Sequence, residues 1–492
     1  MKYQDHVTQY YLRQAGGGQY YSGTTYQKGY GVGSWLGGLF RSVLPLLKSG
    51  AVAVGKEAAR AGAHVLADVA SGDNIRASAK RHGGEAVENL KTKAGNVKGY
   101  TTAFPNGSHA QFIVQSSAYR AGPLDYLSHT VGSRKKHCTN ITAADNSDAT
   151  LVNYGFHAQW SQVDVSINGT VISQSTLTYP YRAFIETKLN YDKAAKDTHL
   201  QQQMWYEDST GHLDSLNGEE NLRLAARRSR TRQSRVFEMM GPLHLDLCNV
   251  DKLLLNNCSL RIKLTRNRDS FALMSTKASE KIKLLDVKLF VRRVTISPSV
   301  LLAHAQALEK SPAKYPVNRI DIKTVTITQG LRDKTIDNLF LNIIIGFVDN
   351  RAFNGDYTRN PFNFQHFNLN YIQMHVDLDP VPAQPLTPDF SNDLYMECYN
   401  TLFSGTGIHW KDEGNNISWS AYPKGSTLFA FDLSPDWSAN QPHWNLQRQG
   451  TLRLDLRFAA PLAQPIDCII YAEFQNLIEI DKNRNVIVDF SI

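Results

Sequence analysis

The stretch Ser161-Gln162-Val163-Asp164-Val165-Ser166-Ile167-Asn168-Gly169 alternates apolar and polar residues and then ends in Asn-Gly. A period of two puts Val163, Val165 and Ile167 on one face of an extended strand. Asn-Gly supplies the positive-φ pair that a tight hairpin needs. The same alternation recurs in Leu260, Ile262 and Leu264 and in Leu452, Leu454, Leu456 and Phe458, with Arg, Lys or Asp between them. These read as antiparallel strands buried on one face. Further strands are expected at 284–296, 320–328, 338–348, 370–378, 426–432 and 467–480. The change of parity from Ile320 and Ile322 to Val325 and Ile327 predicts a bulge.

The order of these elements repeats. Val163 to Asn168 precedes a helix-like run, Tyr181 to Leu189, and then Ser259-Leu260-Arg261-Ile262-Lys263-Leu264. Ile372 to Asp377 likewise precedes Asn392 to Leu402, and then Thr451-Leu452-Arg453-Leu454-Asp455-Leu456. Two element types in one order indicate a duplicated unit. Short strands with a helix in one long connection favour a sandwich or jelly roll over a parallel sheet. The expected fold is all-β, two tandem jelly-roll sandwiches, with the first possibly incomplete. A helix from Ser299 to Leu308 and the Pro-containing stretch after it mark the junction. The predicted organisation is a Tyr/Gly-rich arm (1–34), a basic amphipathic helical segment (35–100), a linker (101–149), a first jelly roll (150–312) and a second (313–492).

The formal charge of +8 is concentrated at the front, where residues 1–100 hold 13 Lys and Arg against 6 Asp and Glu. The remainder, 40 against 39, is nearly neutral and suggests no extended nucleic-acid surface. In the basic segment Trp35, Leu36, Leu39, Phe40, Val43, Leu44 and Leu47 recur at helical spacing with Arg41 and Lys48 between them, a candidate membrane or core contact. Arg223, Arg227, Arg228, Arg230, Arg232 and Arg235 form a second candidate, for a polyanion or a neighbouring subunit. The five cysteines never form Cys-x-x-Cys, so no zinc site or disulfide framework is expected, and no apolar run predicts secretion or a membrane span.

Catalytic signatures find no foothold. The sequence lacks His-Glu-x-x-His, Gly-x-Ser-x-Gly and the phosphate-binding Gly-x-x-x-x-Gly-Lys-[Ser/Thr]. His366, in an aromatic run, and His375, in a strand, are expected to pack. Asp432, Asp436, Glu473 and Glu479 have no spacing that fixes a carboxylate pair. No enzyme activity, cofactor or metal is expected.

Several longer motifs carry a family resemblance. Ser161 to Gly169, Tyr179-Pro180-Tyr181-Arg182-Ala183-Phe184-Ile185-Glu186, Asn360-Pro361-Phe362-Asn363-Phe364-Gln365-His366-Phe367-Asn368, Thr427 to Leu433 and Ile478 to Val486 resemble the hexon-like capsid protein of Polinton/Maverick elements and adintoviruses. The resemblance spans residues 150 to 492 and implies a double jelly-roll subunit, homotrimers and an icosahedral shell, assembled inside the host cell and in its nucleus. Residues 101–149 do not resemble that family's opening strands. Residues 30 to 70 instead resemble the core or membrane-active peptides of adenovirus-like genomes. The function expected is a structural, transposon-derived major capsid protein that partners itself and other capsid proteins, with weak nucleic-acid or membrane contact through its basic N-terminal segment. The rivals are a minor capsid or penton-type protein and a carbohydrate-binding or glycoside-cleaving β-sandwich.

Overall fold

The computed structural model describes strands within 102–129 and then residues 148–433 and 451–488, apart from short interruptions. In the first half the strands are β1 (Thr102–Ala103), β2 (His109–Ser116), β3 (Tyr119–Arg120), β4 (Leu127–His129), β5 (Thr150–Leu151), β6 (Trp160–Ile167), β7 (Thr170–Val171), β8 (Met239–Gly241), β9 (Leu253–Leu254), β10 (Cys258–Arg266), β11 (Leu273–Met274) and β12 (Lys288–Leu289). After the helix Pro298–Lys310 come β13 (Ala313–Ile327), β14 (Asp333–Leu339), β15 (Ile343–Asp349), β16 (Leu369–Val376), β17 (Asp379–Leu386), β18 (Leu428–Phe431), β19 (Leu452–Phe458), β20 (Ile466–Ile480) and β21 (Val486–Val488). Every named strand pairs only with strands on its own side of that helix.

The second half is a complete jelly roll. One sheet runs β13-β20-β15-β18 and the other β14-β19-β16-β17, so the chain passes back and forth between two four-stranded layers. Alternation drives this: Leu452, Leu454, Leu456 and Phe458 of β19 are buried while Arg453 and Arg457 face outward. Pro380, Pro382 and Pro385 sit in β17, the outer strand of its sheet, where a missing N–H breaks no ladder.

The first half repeats the plan. Its larger sheet contains β2-β10-β6-β7, the order of β14-β19-β16-β17, and its three-stranded sheet β12-β4-β8 has the order of β20-β15-β18. Seven strands correspond in chain order and in pairing. A counterpart of β13 is not among the described strands. The hairpin expected at Asn168-Gly169 is present, with φ of 49° and 89°, and joins β6 to β7.

Four expectations need correction. Residues 101–149 are not simply linker: β2 pairs with β10 from His109↔Thr265 to Ser116↔Cys258, and β4 joins β8 and β12. The bulge at 320–328 does not exist, because β13 pairs with β20 without a register shift from Ala313↔Ile480 to Ile327↔Ile466. The parity changes because β13 is covered on both faces: Tyr315, Val317, Ile322 and Ile327 are all buried. The run at 338–348 is two strands, β14 and β15. The helix placed over Asn392 to Leu402 begins later, as Met396–Ser404, after a 3-10 turn at Phe390–Asn392 that ends in left-handed Asp393 (φ 57°).

Candidate functional site: the seam between the two sandwiches

The helix Tyr179–Asn190 lies in the connection from β7 to β8, as Met396–Ser404 lies in that from β17 to β18. Pro180 in its first turn fits the fixed φ of a helix start. Of its residues only Arg182, Glu186 and Asn190 are not buried, so it is an interior element rather than a surface helix. Its aromatic rings reach into the second half. Phe184 stacks on Phe362 with centroids 4.3 Å apart, and Tyr181 stacks on Phe353 at 5.7 Å and meets Phe364 edge-on at 6.3 Å. Such rings each bury a large apolar area and set the spacing of the two halves.

A polar cluster crosses the same seam. Arg182, one helical turn from Glu186, donates to its Oε1 at 2.9 Å and pairs with Asp246 Oδ1 at 2.7 Å. His244 Nδ1 meets Glu186 Oε2 at 2.5 Å, and its Nε2 lies 2.9 Å from the Tyr154 hydroxyl. From the second half, Tyr471 donates to Glu186 Oε1 at 3.4 Å and the Ile320 N–H to Asp246 Oδ1 at 3.3 Å. Burial alone would raise Glu186, but Arg182 and His244 hold its carboxyl at about 2, whereas burial wins at Asp246 and raises it. The adjoining cavity is about 50 Å³, lined by Arg182, His244, Asp246, Ile320 and Ile322. That volume suits about one or two waters and no substrate.

The arginine cluster divides. The helix Leu222–Thr231 is capped by Asn221, whose side chain accepts from Leu224 N. Arg227 is fully buried: it pairs with Asp208 at 2.5 Å and donates to the carbonyls of Leu151 and Tyr206. Asp208 in turn accepts from Asn360 Nδ2 at 2.8 Å, across the seam. Arg227 therefore does not face a polyanion, a correction to the cluster as read from sequence. Arg228 is spent on the carbonyls of Asp148 and Leu216, at 2.9 Å each. Arg223 lies 3.6 Å from Asp197, Arg230 lies over the Tyr206 ring, and Arg232 and Arg235 are exposed. The candidate contact from Trp35, Leu36, Leu39, Phe40, Arg41, Val43, Leu44, Leu47 and Lys48 lies outside the described residues.

The remaining candidates sit in packing roles. His366 stacks on Phe390 at 4.0 Å and is pushed by burial down to about 4, while His375 pairs with Asp455 at 3.2 Å. Glu473 accepts from Asn318 and Glu479 pairs with Lys314; six residues apart on β20, they lie about 20 Å from each other, too far for a glycosidase pair. Cys248, Cys258, Cys398 and Cys468 are buried and free. Among the described residues no cluster of metal-ligating side chains occurs, and no helix is long and apolar enough to cross a membrane. The seam residues Glu186, His244 and Asp246 were missed by sequence reading, although the Arg182–Glu186 spacing signals an ion pair. A further buried group at the seam joins Lys188, Lys196 and Glu207.

No family model matches the chain. It is 25% identical over 426 residues to an uncharacterized protein of Caenorhabditis elegans, covering 82% of this chain and 98% of the relative. In structure it is similar to a chain of the Sputnik virophage (TM-score 0.49, 12% identity, 80% of this chain and 88% of that one). It is also similar to the mavirus major capsid protein (0.42, 9%, 80% and 90%) and to the Faustovirus major capsid protein (0.40, 8%, 87% and 98%).

Proposed function

We propose that this chain is a structural capsid protein of the hexon-like kind, in which residues 150–312 and 313–492 form the cores of two jelly rolls and copies assemble as homotrimers into an icosahedral shell. The observation that carries the reading is the repeat of one strand order and one pairing order on both sides of the helix Pro298–Lys310. Duplication gives one subunit two similar faces, which suits a tile with a near-hexagonal outline when three copies close in a ring. The sequence motifs that resemble Polinton and adintovirus capsid proteins point the same way. The chemistry of the seam is that of a packed joint, since its charged groups satisfy one another.

Self-association also needs apolar surface. Leu302 on the helix Pro298–Lys310 and Leu394 and Met396 beside Trp419 are exposed large side chains, 62%, 66%, 62% and 39% accessible respectively. Copies of the chain would cover them. In this reading the protein acts in the virion, is assembled in the host nucleus, and partners itself and other capsid proteins without catalysis. Size-exclusion chromatography with light scattering on the full chain is expected to give the mass of a trimer, and Leu302→Glu or Met396→Glu to weaken it. A strictly monomeric chain at high concentration would overturn the reading.

A further inference from the structure

Lys196 belongs to the first sandwich and Asn415 to the second, and they meet in a buried pocket of the seam. Lys196 is 4% exposed and Asn415 1%. The Lys196 Nζ donates to the Asn415 backbone carbonyl at 2.7 Å and to that of Lys188 at 2.9 Å. Glu207 Oε1 lies 3.4 Å from the same Nζ, while Oε2 accepts from Lys188 at 2.8 Å. The side-chain amide of Asn415 is polarised on one side only. Its Oδ1 accepts from the Ile417 N–H at 3.1 Å, and its Nδ2 has no hydrogen-bond partner. A buried amide donor without a partner is costly in a native structure and calls for a reason.

We infer that Lys196 and Asn415 close a covalent isopeptide bond that staples the two sandwiches together, with Glu207 carrying the proton. The neutral amine attacks Cγ of Asn415, on the residue whose backbone carbonyl already holds it. The oxyanion forms on Oδ1, facing the Ile417 N–H. Glu207 takes a proton from the attacking nitrogen and delivers it to Nδ2, the C–Nδ2 bond breaks and ammonia departs. The atoms balance: an amine and a primary amide give a secondary amide and ammonia, with no oxidant, cofactor or metal. A cavity of about 450 Å³, lined by Lys188, Glu207 and Asn415, adjoins the site and gives ammonia a way out.

The electrostatics support the step. Burial pushes the Lys196 amine down to about 8, against the pull of Glu207, so a neutral fraction is present near physiological pH. Glu207 is held ionised by Lys188 and Lys196 against its own burial and is available to accept a proton. Trp205 lies beside Lys196, at 5.7 Å from Nζ to the ring centroid, and helps keep the site dry.

The inference is independent of assembly. Intact-mass spectrometry of the purified, denatured full chain is expected to give a mass lower than the sequence by one ammonia. Tryptic digestion should then yield a branched peptide joining Lys196 to Asn415, with no cleavage after Lys196. Lys196→Arg and Asn415→Ala should restore the unmodified backbone mass, and Glu207→Gln should slow closure by about a hundredfold while circular dichroism shows a folded chain. Full sequence mass and normal cleavage after Lys196, after prolonged incubation of the folded wild-type chain, would overturn the proposal whatever the variants do.

Discussion

The two sandwiches follow one plan and fill it differently. In the second, β13 and β20 are 15 residues each and pair along their whole length, and the space between the sheets is filled by strand side chains such as Ile345, Phe347, Leu454 and Ile470. In the first, β4, β8 and β12 span only two or three residues, and the interior is occupied by the helix Tyr179–Asn190 with its rings and its ion pairs. A sheet held by many ladder bonds can close on itself, whereas a core built around a helix depends on what that helix packs against. Here it packs against Phe353, Phe362, Phe364 and Tyr471 of the other sandwich. The difference teaches that the first jelly roll draws part of its core from the second.

The sharpest way to break that comparison is to empty the first sandwich of its buried charge. Arg227→Ala leaves Asp208, itself 2% exposed, without its cation in the interior and is expected to cost about 3–5 kcal/mol, read by urea unfolding. The effect should reach the second half through Asn360. Next come equivalent core positions: Ile262 on β10 faces Val165, as Leu454 on β19 faces Met374, and both are fully buried. Truncation of either to Ala is expected to cost about 2–5 kcal/mol. If the first sandwich depends on the second, Leu454→Ala lowers the stability of both in one transition. Separate transitions, monitored by hydrogen exchange, would show instead that each half stands alone.

Sequence made the second sandwich more legible than the first for the same physical reason. Half-buried strands of seven or more residues, such as β19, declare themselves by alternation, but a strand of two or three residues has no period to read. β2 has eight residues yet was passed over because Phe112, Ile113 and Val114 are contiguous and hide the phase. The seam was invisible except for Arg182 and Glu186, since Lys196 and Asn415 stand 219 positions apart and no local pattern joins them. Arg227 did carry a signal. Leu224, Arg227 and Thr231 follow the Asn221 cap at three- and four-residue steps and mark the buried face of that helix, but a run of arginines reads first as charge.

The seam should also respond to acid. A carboxyl held low in the folded chain contributes stability above its unfolded value and loses it as pH falls through the folded one. For Glu186 the window runs from the ordinary 4.5 down to about 2. Asp246, raised by burial, opposes it in part. Thermal unfolding is expected to shift to lower temperature between pH 5 and pH 3, and Glu186→Gln to flatten that fall. An unchanged slope in the variant would place the acid sensitivity elsewhere.

The smallest effect is expected at Arg232, and it is the most informative about why the arginine cluster divides. Arg227 and Arg232 are the same residue type five positions apart on one helix and its C-terminal cap. Arg227 ends in three acceptors that have no other cation, so its removal exposes an uncompensated charge to a medium that solvates it poorly. Arg232 ends in water, where its loss changes neither packing nor the pairing of a buried group. Arg232→Ala is therefore expected to move the unfolding free energy by less than about 0.5 kcal/mol. A loss comparable to that of Arg227→Ala would mean that a neighbouring copy covers Arg232 in solution, and the contrast between the two positions would then vanish on dilution.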